Sequence, residues 1–218
     1  MGVDGIGRMR SAALASTGPG PRSVQTIYFI RHGQTDWNAE GRLQGQRDIA
    51  LNALGLRQAG MAADRLRALA GDALAEADFM ASPLSRARQT METLRARLDL
   101  PPEDYRTDPR LQEINFGAWE GLTWAEIRRK DPGGAAARDR NRWHYQPSGA
   151  GAESYAMLTE RVAPVIDGLT RTTVVVAHGG VARAMLVARD HLDLRGAPRI
   201  GIRQGEVLVL DAAGWRWA

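Results

Sequence analysis

The sequence contains no cysteine, which excludes disulfides, thiolate metal sites and cysteine nucleophiles. It also lacks any apolar run approaching the ~20 residues needed to cross a bilayer, so no membrane association is expected. Neither a His-x-x-x-His spacing nor a paired-carboxylate spacing accompanies the histidines that end apolar runs, which argues against a catalytic metal. The usual nucleic-acid-binding motifs are missing as well, and no internal repeat is visible. A lack of cysteine does not fix the compartment; a cytoplasmic location is the ordinary expectation.

What the chain does have is an excess of arginine over acid. Its 218 residues carry a formal charge of +4 and a pI near 10.1. A composition of 44 % apolar and 25 % charged residues is usual for a globular protein. A basic balance suits an anionic small molecule or nucleic acid. The arginines are scattered through helical segments, so no nucleic-acid partner is expected. Residues 1–23 are rich in Gly, Ser, Ala and Pro and end in Gly18-Pro19-Gly20-Pro21, which suits neither a helix nor a strand interior. They read as a disordered leader or an overcalled start, with Met9 as one alternative; a cleaved targeting peptide is the rival. Residues 24–218 are enough for one domain with a continuous core, and a homodimer is an open option for its assembly.

Hydrophobic patterning sets out strands alternating with helices. Gln25 to Ile30 and Ala77 to Ala81 read as strands, and Glu206 to Leu210 as a final one. The β-branched run Thr172 to Ala177 suits a strand covered on both faces. A helix is expected from an Asn52 cap to about Ala70, with Leu56, Ala59, Ala63 and Leu66 on one face. Further helices are expected from Ser85 to Leu98, from the Thr123 capping box to near Asp131-Pro132, from Ser154 to Leu169 with a disturbance at Pro164, and over Val181 to Arg189. The Gly-, Ala- and Arg-rich segment near 132–150 reads as an irregular insertion or lid. This alternation predicts an α/β fold, a three-layer sandwich with a mostly parallel central sheet. Two His-Gly pairs, His32-Gly33 and His178-Gly179, then fall at the ends of apolar strands, where open α/β sheets place their sites.

A histidine directly after a buried strand is held by sheet backbone, and a following glycine permits a tight turn or close ligand approach. Neutral imidazole is a competent nucleophile toward phosphorus, and the neighbouring Arg31 could neutralise phosphate oxygens. A structural histidine beside a solvated arginine explains the tripeptide equally well. His178-Gly179 repeats the pattern, and the two histidines could face one pocket if their strands are neighbours. Zinc ligation is a rival for such a pair, although no further ligand spacing accompanies it.

Five blocks together resemble the histidine phosphatase superfamily, the phosphoglycerate mutase-like proteins. They are FIRHGQTDWNAEGRLQGQRDIALNALGLRQA from Phe29, ASPLSRARQTMETL from Ala81, LQEINFGAWEGLT from Leu111, GAESY from Gly151 and VVVAHGGVARAML from Val174, in the family's order. The resemblance implies a phosphoglycerate mutase-like sandwich and chemistry that needs no metal or other cofactor. It implies that His32 becomes phosphohistidine, that Arg31 and Arg86 clamp the phosphoryl oxygens, and that His178 completes the phosphate pocket. It further implies Glu113 as the proton donor, Asn38 beside the phosphate, and lesser substrate-binding roles for Thr35, Gly179 and Glu153. Planar guanidiniums suit such a clamp better than mobile lysines. A poor alkoxide leaving group needs a proton, so Glu113 must be protonated in the substrate complex.

Other motif residues are less specific. Ser82 and Ser85 read as turn and cap residues, and Trp119, Trp124, Trp143 and Tyr145 could wall a pocket or pack a core. The implied activity is a metal-independent phosphomonoester phosphatase acting on a small phosphorylated metabolite. A cofactor-dependent phosphoglycerate mutase is the runner-up. Gln34-Thr35 follows Arg-His-Gly here, where the mutases tend to have Gly-Glu-Ser, and the insertion is short. A non-catalytic protein on the same fold is the third alternative; intact nucleophile, arginine pair and acid count against it.

Overall fold

Apolar side chains alternate across the first strand, β1 (Ile27–Arg31): Ile27 and Phe29 enter one core, Ile30 the other. That pattern requires cover on both faces of the sheet. The computed structural model describes residues 25–189 and 191–218, so the leader expected over 1–23 lies outside the described residues. After β1 come α1 (Asp36–Ala39), α2 (Ala53–Ala70), β2 (Asp78–Ala81), α3 (Ser85–Arg97) and β3 (Arg106–Thr107). Next are α4 (Trp124–Lys130), α5 (Pro132–Arg140), α6 (Tyr155–Asp167), β4 (Thr173–Ala177) and α7 (Gly179–Ala188). The hairpin β5 (Leu208–Asp211) and β6 (Gly214–Trp217) ends the chain.

The strand order is β3-β2-β4-β1-β5-β6. The first four are parallel, and β5 and β6 add an antiparallel edge. Helices α6 and α7 cover one face through Leu158, Val162, Ile166, Val181 and Met185. On the other face α2 and α3 contribute Ala62, Leu66, Met91 and Leu94. The fold is therefore the expected α/β sandwich of three layers. Among the described residues no helix is long and apolar enough to cross a membrane.

Local chemistry explains most boundaries. The Asn52 side chain accepts from Gly55 N at 2.9 Å and starts α2, and Thr123 with Glu126 forms the capping box of α4. Three expectations need correction. Leu56 is 47 % exposed, because Gly55 packs its backbone against Gln34 and the inward face of α2 runs through Gly55, Ala59, Ala62, Ala63 and Leu66. The irregular lid expected near 132–150 instead opens with helix α5. Asp131 Oδ1 caps α5 at Gly134 N (2.8 Å), Pro132 takes its first turn, and Asp131 Oδ2 accepts from Trp119 Nε1 at 3.0 Å. Strands β3 and β6, not expected from the pattern, complete the two sheet edges.

Candidate active site

The two His-Gly pairs leave the sheet side by side. β1 and β4 are parallel neighbours in the register Arg31↔Ala177, and His32 N donates to Ala177 O at 2.9 Å, extending the ladder by one residue. The His32 and His178 rings then lie 5.1 Å apart, tilted by 58°. Both are buried. Beyond them opens a cavity of about 490 Å³ whose wall includes Arg31, His32, Asn38, Arg86, Glu113 and Gly179.

His32 is held in a definite tautomer. Its Nδ1 lies 2.7 Å from Gly33 O, and a carbonyl can only accept, so Nδ1 carries the proton and Nε2 keeps its lone pair. Burial, reinforced by the charges of Arg86 and Arg31, holds this imidazole well below its ordinary value of 6.5. Burial, then Arg86 and His32, does the same to His178. Ser82, expected as a turn residue, proves to be the partner of His178: its Oγ lies 2.8 Å from Nε2.

The two arginines are anchored from behind. Arg31 donates from Nη1 to Ile202 O at 2.9 Å, and Arg86 donates from Nη1 and Nη2 to Arg47 O and Gly45 O, each at 2.7 Å. These bonds fix the guanidinium planes. Arg31 Nε, Arg86 Nε and His178 Nδ1 are buried and have no partner within the protein. Unpaired buried donors cost about 1–3 kcal/mol each, so the two guanidinium Nε–H groups need an acceptor from outside. Desolvation lowers the pKa of both arginines, and the Glu113 carboxylate only partly offsets it. An oxyanion in the cavity meets both needs. Guanidiniums around the imidazoles are also the wrong charge for a cation, which disposes of the zinc reading on the donor set itself.

Glu113 reaches the cavity across the N-terminus of α7. Its Oε1 accepts from Gly180 N and from Ile114 N, both at 3.0 Å. A Cβ at Gly180 would overlap that carboxylate, so the second glycine of His-Gly-Gly is what admits it. Asn38 Oδ1 accepts from Thr35 N and from Gln204 Nε2, both at 3.2 Å, and the side chain lines the cavity.

Two of the expected substrate contacts have other work. Thr35 is fully buried away from the cavity wall and caps α1, orienting Asn38. Glu153 lies behind the site, where it accepts from Arg161 Nε and Nη2 (2.8 and 2.7 Å) and from Asn115 N (3.0 Å). Arg161 also donates to the carbonyls of Arg110 and Gln112. Together the pair staples the loop that carries Glu113. Of the four aromatics, Trp124 lines the cavity, whereas Trp119 stacks on Tyr145 and Trp143 on Tyr155.

A buried histidine grouped with two anchored arginines and a carboxylate is the arrangement the five sequence blocks implied. The sequence matches the histidine phosphatase superfamily (branch 1) over residues 27–218. The chain belongs to that superfamily. It is 32 % identical to glucosyl-3-phosphoglycerate phosphatase of Mycolicibacterium vanbaalenii, covering 82 % of this chain and 80 % of that one. It is 34 % identical to a metal-independent phosphoserine phosphatase of Arabidopsis thaliana, over 74 % and 67 % of the two chains. Among solved structures, a mycobacterial glucosyl-3-phosphoglycerate phosphatase in complex with VO3 superposes with a TM-score of 0.72 at 32 % identity, covering 89 % of this chain and 97 % of that one.

This histidine phosphatase also places at the cavity residues to which its motifs assign no firm role, although Gln44 lies in the Phe29 block and Arg183 in the Val174 block. Gln44 is buried in the wall with an unpaired amide oxygen. Arg138 from α5 stacks on Trp124, its guanidinium carbon 4.2 Å from the ring centre, and Arg183 from α7 donates to Ile200 O at 2.9 Å. Arg183 belongs to the Val174 block, so its position in the chain was legible. The inward aim of Arg138 was not, since it depends on α5.

Proposed function

We propose that this histidine phosphatase hydrolyses phosphomonoesters of small metabolites through a phosphohistidine at His32, without a metal. The observation that carries the reading is the convergence on one cavity of a neutral His32 with a free Nε2, the Glu113 carboxyl group, and Arg31 and Arg86, whose buried Nε–H donors are unpaired. The curated relatives, a glucosyl-3-phosphoglycerate phosphatase and a phosphoserine phosphatase, support a small phosphorylated substrate.

The reaction follows from these positions. His32 Nε2 attacks phosphorus as the ester P–O bond breaks, and Glu113 delivers its proton to the departing oxygen. The ring gains positive charge, which strengthens the Nδ1–H bond to Gly33 O. Arg31, Arg86 and His178 meet the charge on the transferring oxygens and act most strongly where that charge peaks. Water then attacks the phosphorus while Glu113 accepts its proton; the N–P bond breaks and neutral His32 returns. Asn38 and Gly179 border the bound phosphate, and Thr35 and Glu153 act as positioning residues.

A mutase would share every step up to the phosphoenzyme and differ in its fate. Offered 3-phosphoglycerate with a catalytic amount of 2,3-bisphosphoglycerate, the protein should release inorganic phosphate and form little 2-phosphoglycerate. In ¹⁸O-labelled water, hydrolysis of an accepted ester should place the label in the released phosphate. Interconversion of the monophosphoglycerates much faster than phosphate release would replace the phosphatase reading with a mutase.

A further inference from the structure

The catalytic cavity does not end at its own rim. A second cavity of about 620 Å³ adjoins it and shares Asp139, Arg142 and Pro198 with its wall. This groove lies between α5 and residues 193–199, and its lining includes Arg140, His144, Leu194, Arg195 and Arg199. Its charge is unbalanced. Asp139, the carboxylate in the lining, is 3.4 Å from Arg142 and 3.8 Å from Arg138, so two arginines already share it. Asp193 lies nearby, its Oδ1 accepting from the backbone nitrogens of Arg195 and Gly196; counted together with Asp139, it still leaves the groove's four arginines, Arg140, Arg142, Arg195 and Arg199, in excess. Among the described residues, the side chains of Arg140, Arg195 and Arg199 form no ion pair.

The cationic wall is continuous with the phosphate site. Arg183 lies against Gly179 beside Arg31, and a Cβ at Gly179 would meet Arg183 Nη1 at 3.4 Å and Arg31 Nε at 3.7 Å. Arg138 and Arg142 carry positive charge from there to the mouth of the groove. Burial holds the Arg138 pKa down, and the charges of Arg142 and Arg183 add to the effect, while Tyr155 and Asp139 offset it only in part. Leu194 is 45 % exposed and supplies an apolar surface within the same groove.

From this arrangement we infer that the groove is a second anion subsite, and that preferred substrates are phosphomonoesters whose leaving group carries a further anionic group at its far end. The inference rests on the phosphatase reading of His32. The phosphoryl group sits against Arg31 and Arg86, an apolar spacer runs past Leu194, and the distal anion is met by Arg195 and Arg199.

The test compares ω-phosphooxyalkanoates of increasing chain length with n-alkyl phosphates of the same length. Above some length, kcat/KM should favour the acid by about tenfold or more, the effect of a charge-assisted hydrogen bond. The preference should shrink with added salt. In the Arg195→Gln/Arg199→Gln variant it should disappear, with p-nitrophenyl phosphate turnover unchanged. Equal kcat/KM at every length, or a preference undiminished in that variant, overturns the subsite. Calorimetric binding of the same pairs to His32→Ala separates the two readings. A binding preference for the acid that is lost in the double-Gln background, with no turnover of any ester by the wild type, upholds the subsite and faults the phosphatase reading alone.

Discussion

Each residue at the site is assigned by a bond that restricts it. The Gly33 carbonyl leaves His32 one tautomer, and the Gly45 and Arg47 carbonyls leave Arg86 one orientation. In the proposed mechanism Glu113 has the most exacting task, since an alkoxide leaves poorly without a proton. Glu113→Gln should therefore slow hydrolysis of alkyl phosphates by ~10²-fold or more, and much less for an aryl phosphate whose leaving group needs no proton. Equal losses on both, measured as kcat by phosphate release, would assign Glu113 to binding or structure instead. At this scale the sequence was most informative: Arg31, His32, Arg86, Glu113 and His178 sit in motif blocks with fixed neighbours. Thr35 and Glu153 sit in equally recognisable blocks, yet their side chains turn to a helix cap and to Arg161. A motif fixes which residue is present; whether it points to the ligand depends on hydrogen bonds it does not encode.

Elements place those residues, and here legibility depended on pattern strength. The five-residue buried run of β4 and the Asn52 and Thr123 caps were plain. α5 was not, because Gly133 and Gly134 each disfavour a helix by about 1 kcal/mol relative to alanine. The Asp131 cap, Pro132 in the first turn and the Arg138–Trp124 stack offset that cost, and all but the cap and proline are tertiary. β3 spans only Arg106–Thr107, too short to show a period, and β6 owes its state to pairing with β5. The start of α7 carries its own prediction. A methyl group at Gly180 would displace the Glu113 carboxylate from the helix N-terminus. Gly180→Ala should cost about tenfold or more on alkyl phosphates with a smaller loss on aryl ones, the same asymmetry as Glu113→Gln. A variant with unchanged rates on both ester types would show that Gly180 does not admit the acid.

At the scale of the molecule, the fold joins two parallel strands so that two imidazoles and two guanidiniums share a buried space. Lys130 is the sole lysine, so the positive charge is carried almost entirely by guanidiniums, which stay protonated where ammonium groups would lose their charge more readily. This concentration has a stability consequence. His32 and His178 are kept neutral in the folded protein, their pKa values held well below 6.5, whereas in the unfolded chain they protonate at ordinary values. The unfolded state thus binds more protons as pH falls through that ordinary value. The stability from the neutral imidazoles is complete above it and is lost as pH falls toward their lowered folded values. The urea midpoint should decrease between about pH 7.5 and about pH 5.5, above the range where most carboxylates titrate. A flat midpoint across that window would mean that the two imidazoles protonate in place. The central claim, that this architecture exists to carry a phosphoryl group on His32, is tested most directly by rapid quenching during turnover of a ³²P-labelled phosphomonoester. The account predicts label on His32 in a linkage stable to base and hydrolysed by acid, chased by water and absent from a folded His32→Ala variant. Label retained in that variant, or turnover at the wild-type rate without His32, would contradict it.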